Sequence, residues 1–92
     1  MDLTREVFAP IKKIVGVTAQ TDTAASVAVN GDSVTVICMS GNLWINPLAT
    51  AVADATAMKL VAGMSADLVV KKNLSLISDG SGATYQIIHW EV

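Results

Sequence analysis

Reactive side chains are sparse in this sequence, and their spacing does not assemble a known catalytic pattern. Cys38 is the single cysteine and His89 the single histidine. A nucleophilic site needs a base within reach of the nucleophile and an acid to orient that base. His89 lies between Ile88 and Trp90 in an apolar run, where a packed imidazole is the expected state. Cys38 alternates with Val34 and Val36, so its thiol is expected to serve as a small hydrophobe. No cation stands near it in sequence to stabilise a thiolate. Asp22, Asp32, Asp54, Asp67 and Asp79 stand singly near turns or strand ends, and turn formation accounts for most of them. A paired-carboxylate site or a calcium cage would require the fold to gather several of them. The run Asp79-Gly80-Ser81-Gly82-Ala83-Thr84 lacks the lysine and the following helix of a phosphate-binding loop. One histidine and one cysteine are too few soft ligands for a zinc site. The residues therefore assign no catalytic group, cofactor or metal ligand, and the expected role is non-enzymatic.

Composition narrows the class further. At 92 residues the chain is expected to form one domain, residues 1–92, and its lone cysteine rules out an internal disulfide. A domain of this size buries only roughly 60–70% of its unfolded surface, so association with copies of itself or with a partner is the expected source of added stability. Six Lys and Arg against eight Asp and Glu give a net charge of -2, with no basic stripe for nucleic acid. The start MDLTREVFAP has acidic residues where a signal peptide is basic, and no apolar run reaches the length of a membrane span. A soluble product made in the cytoplasm is expected. Hydrophobic residues make up 52% of the chain, much of it Ala and Val, which suits a thin sandwich better than a bulky helical core.

These side chains must be carried by strands. Val7, Ile11, Ile14 and Val15 have helical spacing, but Pro10 interrupts it, so residues 1–10 are expected to form an extended arm and Ile11 to Thr18 a strand. Val27 and Val29 on one side and Val34, Val36 and Cys38 on the other flank Asn30-Gly31-Asp32, the pattern of a β-hairpin turn. Further strands are expected over Leu43 to Ile45, Met58 to Ala62, Ser65 to Val70, Leu74 to Ser78 and Ala83 to Glu91, with the Asp79 to Gly82 run as the last hairpin loop. Within Leu48 to Met58 every second residue is alanine, which fits an extended or irregular crossing, with one or two helical turns as the alternative. The fold class that follows is all-β, a small β-sandwich or jelly-roll-like barrel of about seven to eight short antiparallel strands, residues 11–92, behind an N-terminal arm.

Two tryptophans carry the remaining information. Trp44 and Trp90 are either core anchors, since indole buries a large apolar area, or interface anchors. The core reading is favoured for Trp44, while Trp90 is open. A partner interface, if built from apolar anchors, would draw on Val7, Phe8 and Pro10 of the arm together with Trp44 and Trp90.

The order Leu43-Trp44-Ile45-Asn46-Pro47, then Leu60-Val61-Ala62-Gly63, Leu74 to Ser78 and the closing Tyr85 to Trp90 strand resembles small β-sandwich virion proteins of tailed bacteriophages. These are capsid decoration or cement proteins and fibre or spike head domains, and the resemblance covers about the C-terminal half. It implies a trimer on the exterior of the virion capsid, clamping subunits of the major capsid protein, with no nucleic-acid or membrane partner. The alternative it implies is a receptor- or glycan-binding head domain. A small ligand-binding barrel is the further reading, and it would need an internal cavity with convergent polar groups.

Overall fold

The computed structural model describes residues 10–80 and 82–90. Val7 and Phe8, and with them the expected arm up to Pro10, lie outside the described residues. Eight strands follow in order: β1 Ile11–Gln20, β2 Ala25–Ala28, β3 Ser33–Ser40, β4 Asn42–Asn46, β5 Met58–Val61, β6 Ser65–Val69, β7 Asn73–Ser78 and β8 Ala83–Trp90. They form two four-stranded sheets, sheet A in the order β1-β8-β3-β6 and sheet B in the order β2-β7-β4-β5. Every strand pair is antiparallel. This is the eight-stranded, double-sheet jelly roll, in agreement with the all-β expectation.

Period-two alternation decides what each strand buries. β3 turns Val34, Val36 and Cys38 inward, and β8 turns Ala83, Tyr85, Ile87 and His89 inward. Sheet B answers with Leu43 and Ile45 of β4, Leu60 of β5, and Leu74 and Leu76 of β7. Each such aliphatic side chain contributes about 1.5–3 kcal/mol on leaving water. These groups fill the space between the sheets, so the interior is a packed core.

The connections depart from expectation. Among the described residues every link between successive strands crosses from one sheet to the other, except that from β4 to β5. The Asn30-Gly31 turn forms with the positive φ its residues favour, 59° and 88°. It does not make a β2–β3 hairpin, because β2 pairs with β7 and β3 with β6 and β8. Its amides are used elsewhere: Val29 and Asn30 donate to the Lys72 carbonyl and Gly31 donates to the Val70 carbonyl. The Asp79 to Gly82 run likewise carries the chain from sheet B to sheet A and is no hairpin.

The β3–β4 crossing is the tightest. Gly41 has φ +73°, and a Cβ there would run into the Gly82 carbonyl oxygen of the β7–β8 crossing. Only glycine lets the two backbones approach at this point.

Candidate functional site

The exceptional connection builds a feature with the shape of a site. Residues 47–57 join β4 to β5 as bends and turns, so the helical alternative for the alanine-rich stretch is not realised. Asn46, the last residue of β4, staples this loop. Its Oδ1 accepts from the amides of Leu48 at 2.9 Å and Ala49 at 3.1 Å, and its Nδ2 donates to the Thr56 carbonyl at 3.4 Å. An Asn bonding the backbone two residues on replaces a strand pair with a turn, and it does so here despite the alternating alanines. Further along, Asp54 Oδ1 accepts from the amide and hydroxyl of Thr56, which holds its carboxyl below the ordinary range. At the loop's middle the buried Ala51 amide donates to Ser75 Oγ at 2.9 Å, docking the loop on the outer face of β7.

Between that loop and the sheet edge lies an open groove of about 480 Å³. One wall is Pro47, Leu48, Ala49 and Thr50 of the loop, and the opposite side is Ala24, Ala25 and Ser26 at the start of β2. Lys71 and Lys72 of the β6–β7 crossing, with Asn73 and Ser75 of β7, complete it. Ser26 and Ser75 are register partners, which puts their hydroxyls on the same outer face of sheet B. None of the lining residues is acidic and two are lysines. Small side chains keep the floor open, and the polar groups around it are hydroxyls and an amide, able to donate hydrogen bonds, and the two lysine cations.

The reactive residues noted in the sequence do not reach this groove. His89 is buried at 2% exposure on the inner face of β8, and its Nε2 has no hydrogen-bond partner among the described residues. Burial, reinforced by Lys13 and Lys12 and partly opposed by Asp32, pushes its pKa below the ordinary histidine value. Cys38 is fully buried, with Sγ 3.5 Å from the Ser40 carbonyl and 3.6 Å from that of Gly41, and burial pushes its thiol pKa up. Tyr85 is likewise buried, and its phenol is pushed up for the same reason. No group of three or more His, Cys, Asp and Glu side chains among the described residues is placed to hold a metal ion.

Of the anchors expected for a partner interface, Pro10, Trp44 and Trp90 fall among the described residues, and they divide between the two sheets. Pro10 is exposed just before β1. Trp44 is not a core anchor: it lies half-buried on the outer face of sheet B, with Lys59 Nζ 5.2 Å from its ring centre. Its neighbours Leu43 and Ile45 take the inward positions instead. Trp90 is half-buried on the outer face of sheet A, on the other side of the molecule, where its Nε1 donates to Thr35 Oγ1 at 2.8 Å. The groove itself was missed in the sequence, where Lys71-Lys72-Asn73 reads only as a turn.

Comparison with known proteins gives the fold and corrects the function. No family description matches the chain. No curated protein matches it either. Among solved structures, a putative ethanolamine utilization protein Q of Salmonella typhimurium superposes with a TM-score of 0.59 at 12% identity, over 82% of this chain and 55% of that one. The plu4264 protein of Photorhabdus luminescens gives 0.59 at 14% identity, over 85% and 57%. Protein NMB1881 of Neisseria meningitidis gives 0.59 at 12% identity, over 99% and 98%. The chain thus spans little more than half the length of the first two. At such identities the likeness is one of fold. These neighbours are named as bacterial proteins, none of them as a phage virion component, and the capsid decoration and fibre-head readings are withdrawn. The turn around Trp44, the Gly63 step and the closing strand that suggested them are what an eight-stranded jelly roll requires in any setting, because its chain must repeatedly turn between sheets. The capsid partner and the trimer followed from the same resemblance and lose that support. The chain is, by its structure, an eight-stranded jelly roll of the kind these bacterial proteins share.

Proposed function

We propose that this chain is a non-enzymatic binding module that holds a small anionic ligand in the groove between β2, β7 and the β4–β5 loop. The observation that carries this reading is charge: in a chain of net charge -2, the groove is lined by two lysines and no carboxylate. Its volume of about 480 Å³ lies within the roughly 300–1,000 Å³ range of small-molecule sites. Lys71 and Lys72 supply attraction, and Ser26, Ser75 and Asn73 supply hydrogen bonds for oxygen acceptors. The lining holds no histidine, cysteine or carboxylate to pair with the lysines, and the reading is therefore one of binding. The ethanolamine-related name of the Salmonella protein does not transfer, because a protonated amine would be repelled by the two lysines.

Amide NMR titration of the chain with citrate and with inorganic phosphate at low salt tests this. Shifts are expected at Ser26, Ala49 and Lys71 to Asn73, weakening as salt is added. The double variant Lys71→Glu, Lys72→Glu is expected to abolish them. Absence of shifts with either anion, or shifts that persist in the double variant, would sink the reading.

A further inference from the structure

Beside the groove, across the limb of chain that opens the β4–β5 loop, lies a second hollow of about 300 Å³. Pro47 and Leu48 form one wall, Ala55, Ala57 and Met58 the other, and Asn46 bridges the two. Unlike the groove, this hollow has no charged side chain in its lining among the described residues. Its two polar side chains are already engaged: Asn46 with the amides of Leu48 and Ala49 and the Thr56 carbonyl, and Thr56 with Asp54. What remains for a ligand is aliphatic surface, which gains by leaving water. Pro47 and Leu48 line the groove as well, so a single thickness of chain separates the two spaces. Leu48 is 92% exposed, more than any other large hydrophobic side chain among the described residues, so both spaces open to water beside it.

We infer that the groove and the hollow form one amphiphilic site, and that its ligand is a free carboxylate carrying a short aliphatic chain. This rests on the anion-binding reading of the groove and adds the class of anion. Charge fixes the polar end of the ligand, because Lys71 and Lys72 stand in the groove and no cation lines the hollow among the described residues. Continuity fixes the apolar end. A chain leaving the groove over the Pro47–Leu48 limb stays on apolar side chains throughout and then meets Ala55, Ala57 and Met58. The crossing is short: packed backbones lie about 4.8 Å apart, and with carbon–carbon bonds of about 1.5 Å some four methylenes cover that width. Small-molecule sites combine a mostly apolar lining with a few placed polar groups, and the groove gains its apolar part when the hollow is joined to it.

Amide NMR titration of the full chain with acetate and with hexanoate at fixed ionic strength reads the proposal, with hexanol as the uncharged counterpart. A fully enclosed methylene raises affinity about fourfold, and in these open spaces hexanoate is expected to bind about tenfold more tightly than acetate. Its shifts are expected at Lys71 to Asn73 and at Ala55, Ala57 and Met58 together, and hexanol is expected to bind more weakly than hexanoate. Ala55→Leu, at an exposed position, fills the hollow and is expected to bring hexanoate down to acetate while citrate binding stays unchanged. Met58→Ser, also exposed, is expected to act in the same direction by removing apolar surface. Hexanoate no tighter than acetate, or shifts confined to Lys71 to Asn73, would overturn the inference. So would shifts in the hollow that survive Ala55→Leu or the double variant Lys71→Glu, Lys72→Glu. In each of these cases citrate binding at the lysines leaves the anion reading of the groove standing, whereas absence of shifts with citrate and phosphate as well removes both.

Discussion

The two outer faces of this sandwich are built from the same kind of strand and end in opposite condition. On sheet B, the β4–β5 loop is stapled by Asn46 and docked on Ser75, leaving a groove with polar and cationic walls. On sheet A, Ile11, Ile14 and Val69 stand in the open beside a hydrogen-bond chain that runs from the Trp90 indole through Thr35 to Asp67. The same alternation that fills the core therefore leaves one outer surface roofed by a loop over a cationic groove and the other with several aliphatic side chains in the open. The difference is made by connectivity, because the only in-sheet connection among the described residues is the one that roofs sheet B.

Four perturbations separate the faces, from the largest effect to the smallest. Gly41→Ala should remove the contrast altogether, since a Cβ at φ +73° collides with the Gly82 backbone and both crossings must shift. A loss of about 3 kcal/mol or more in urea unfolding is expected from the combined strain and clash. Asn46→Ala should act on sheet B alone. It frees the amides of Leu48 and Ala49, and a loss of about 1–2 kcal/mol in urea unfolding together with weakened citrate binding is expected. Trp90→Phe should act on sheet A alone. It keeps an aromatic ring but removes the indole donor to Thr35, with an expected loss of about 1 kcal/mol by thermal denaturation and unchanged anion titration.

The smallest effect concerns the interior that both faces share. His89 is the single histidine, and its folded pKa is lowered chiefly by burial. Its unfolded form binds a proton more readily than its folded form. The neutral ring's contribution to stability is therefore complete above the unfolded value of about 6.5 and is lost progressively as pH falls below it toward the depressed folded value. A urea midpoint that declines between pH 7 and the onset of carboxylate titration is expected. A flat or rising midpoint across that interval would contradict the buried neutral ring.

Strand positions were readable from the sequence because alternation is local. Val34, Val36 and Cys38 announce their shared face without reference to anything distant. Trp44 was misread as a core anchor: it stands between Leu43 and Ile45, which turn inside, so period two sends the indole outside. Its size argued for the core, and the pleat overruled its size. Strand partners were not readable. The Asn30-Gly31 turn fixes two φ angles, but which sheet receives the next strand depends on pairing with β6, β7 and β8 far along the chain. The groove was hidden for the same reason. Ser26, Leu48 and Lys71 meet only after the chain has wound between the sheets, and nothing near any of them in sequence announces the others.

Those repeated crossings bear on how the molecule comes to exist. Strands that follow one another in the chain stand in opposite sheets, so most pairings require a long segment to be brought round before a single ladder bond forms. Chains dominated by such non-local pairing fold in roughly milliseconds to seconds, far slower than helical bundles. Among the described residues the β4–β5 hairpin is the one unit that pairs with its own sequence neighbour, and even that requires an eleven-residue loop, 47–57, to close first. Neither sheet can be completed before the other, and the two should be gained and lost together in a single cooperative transition.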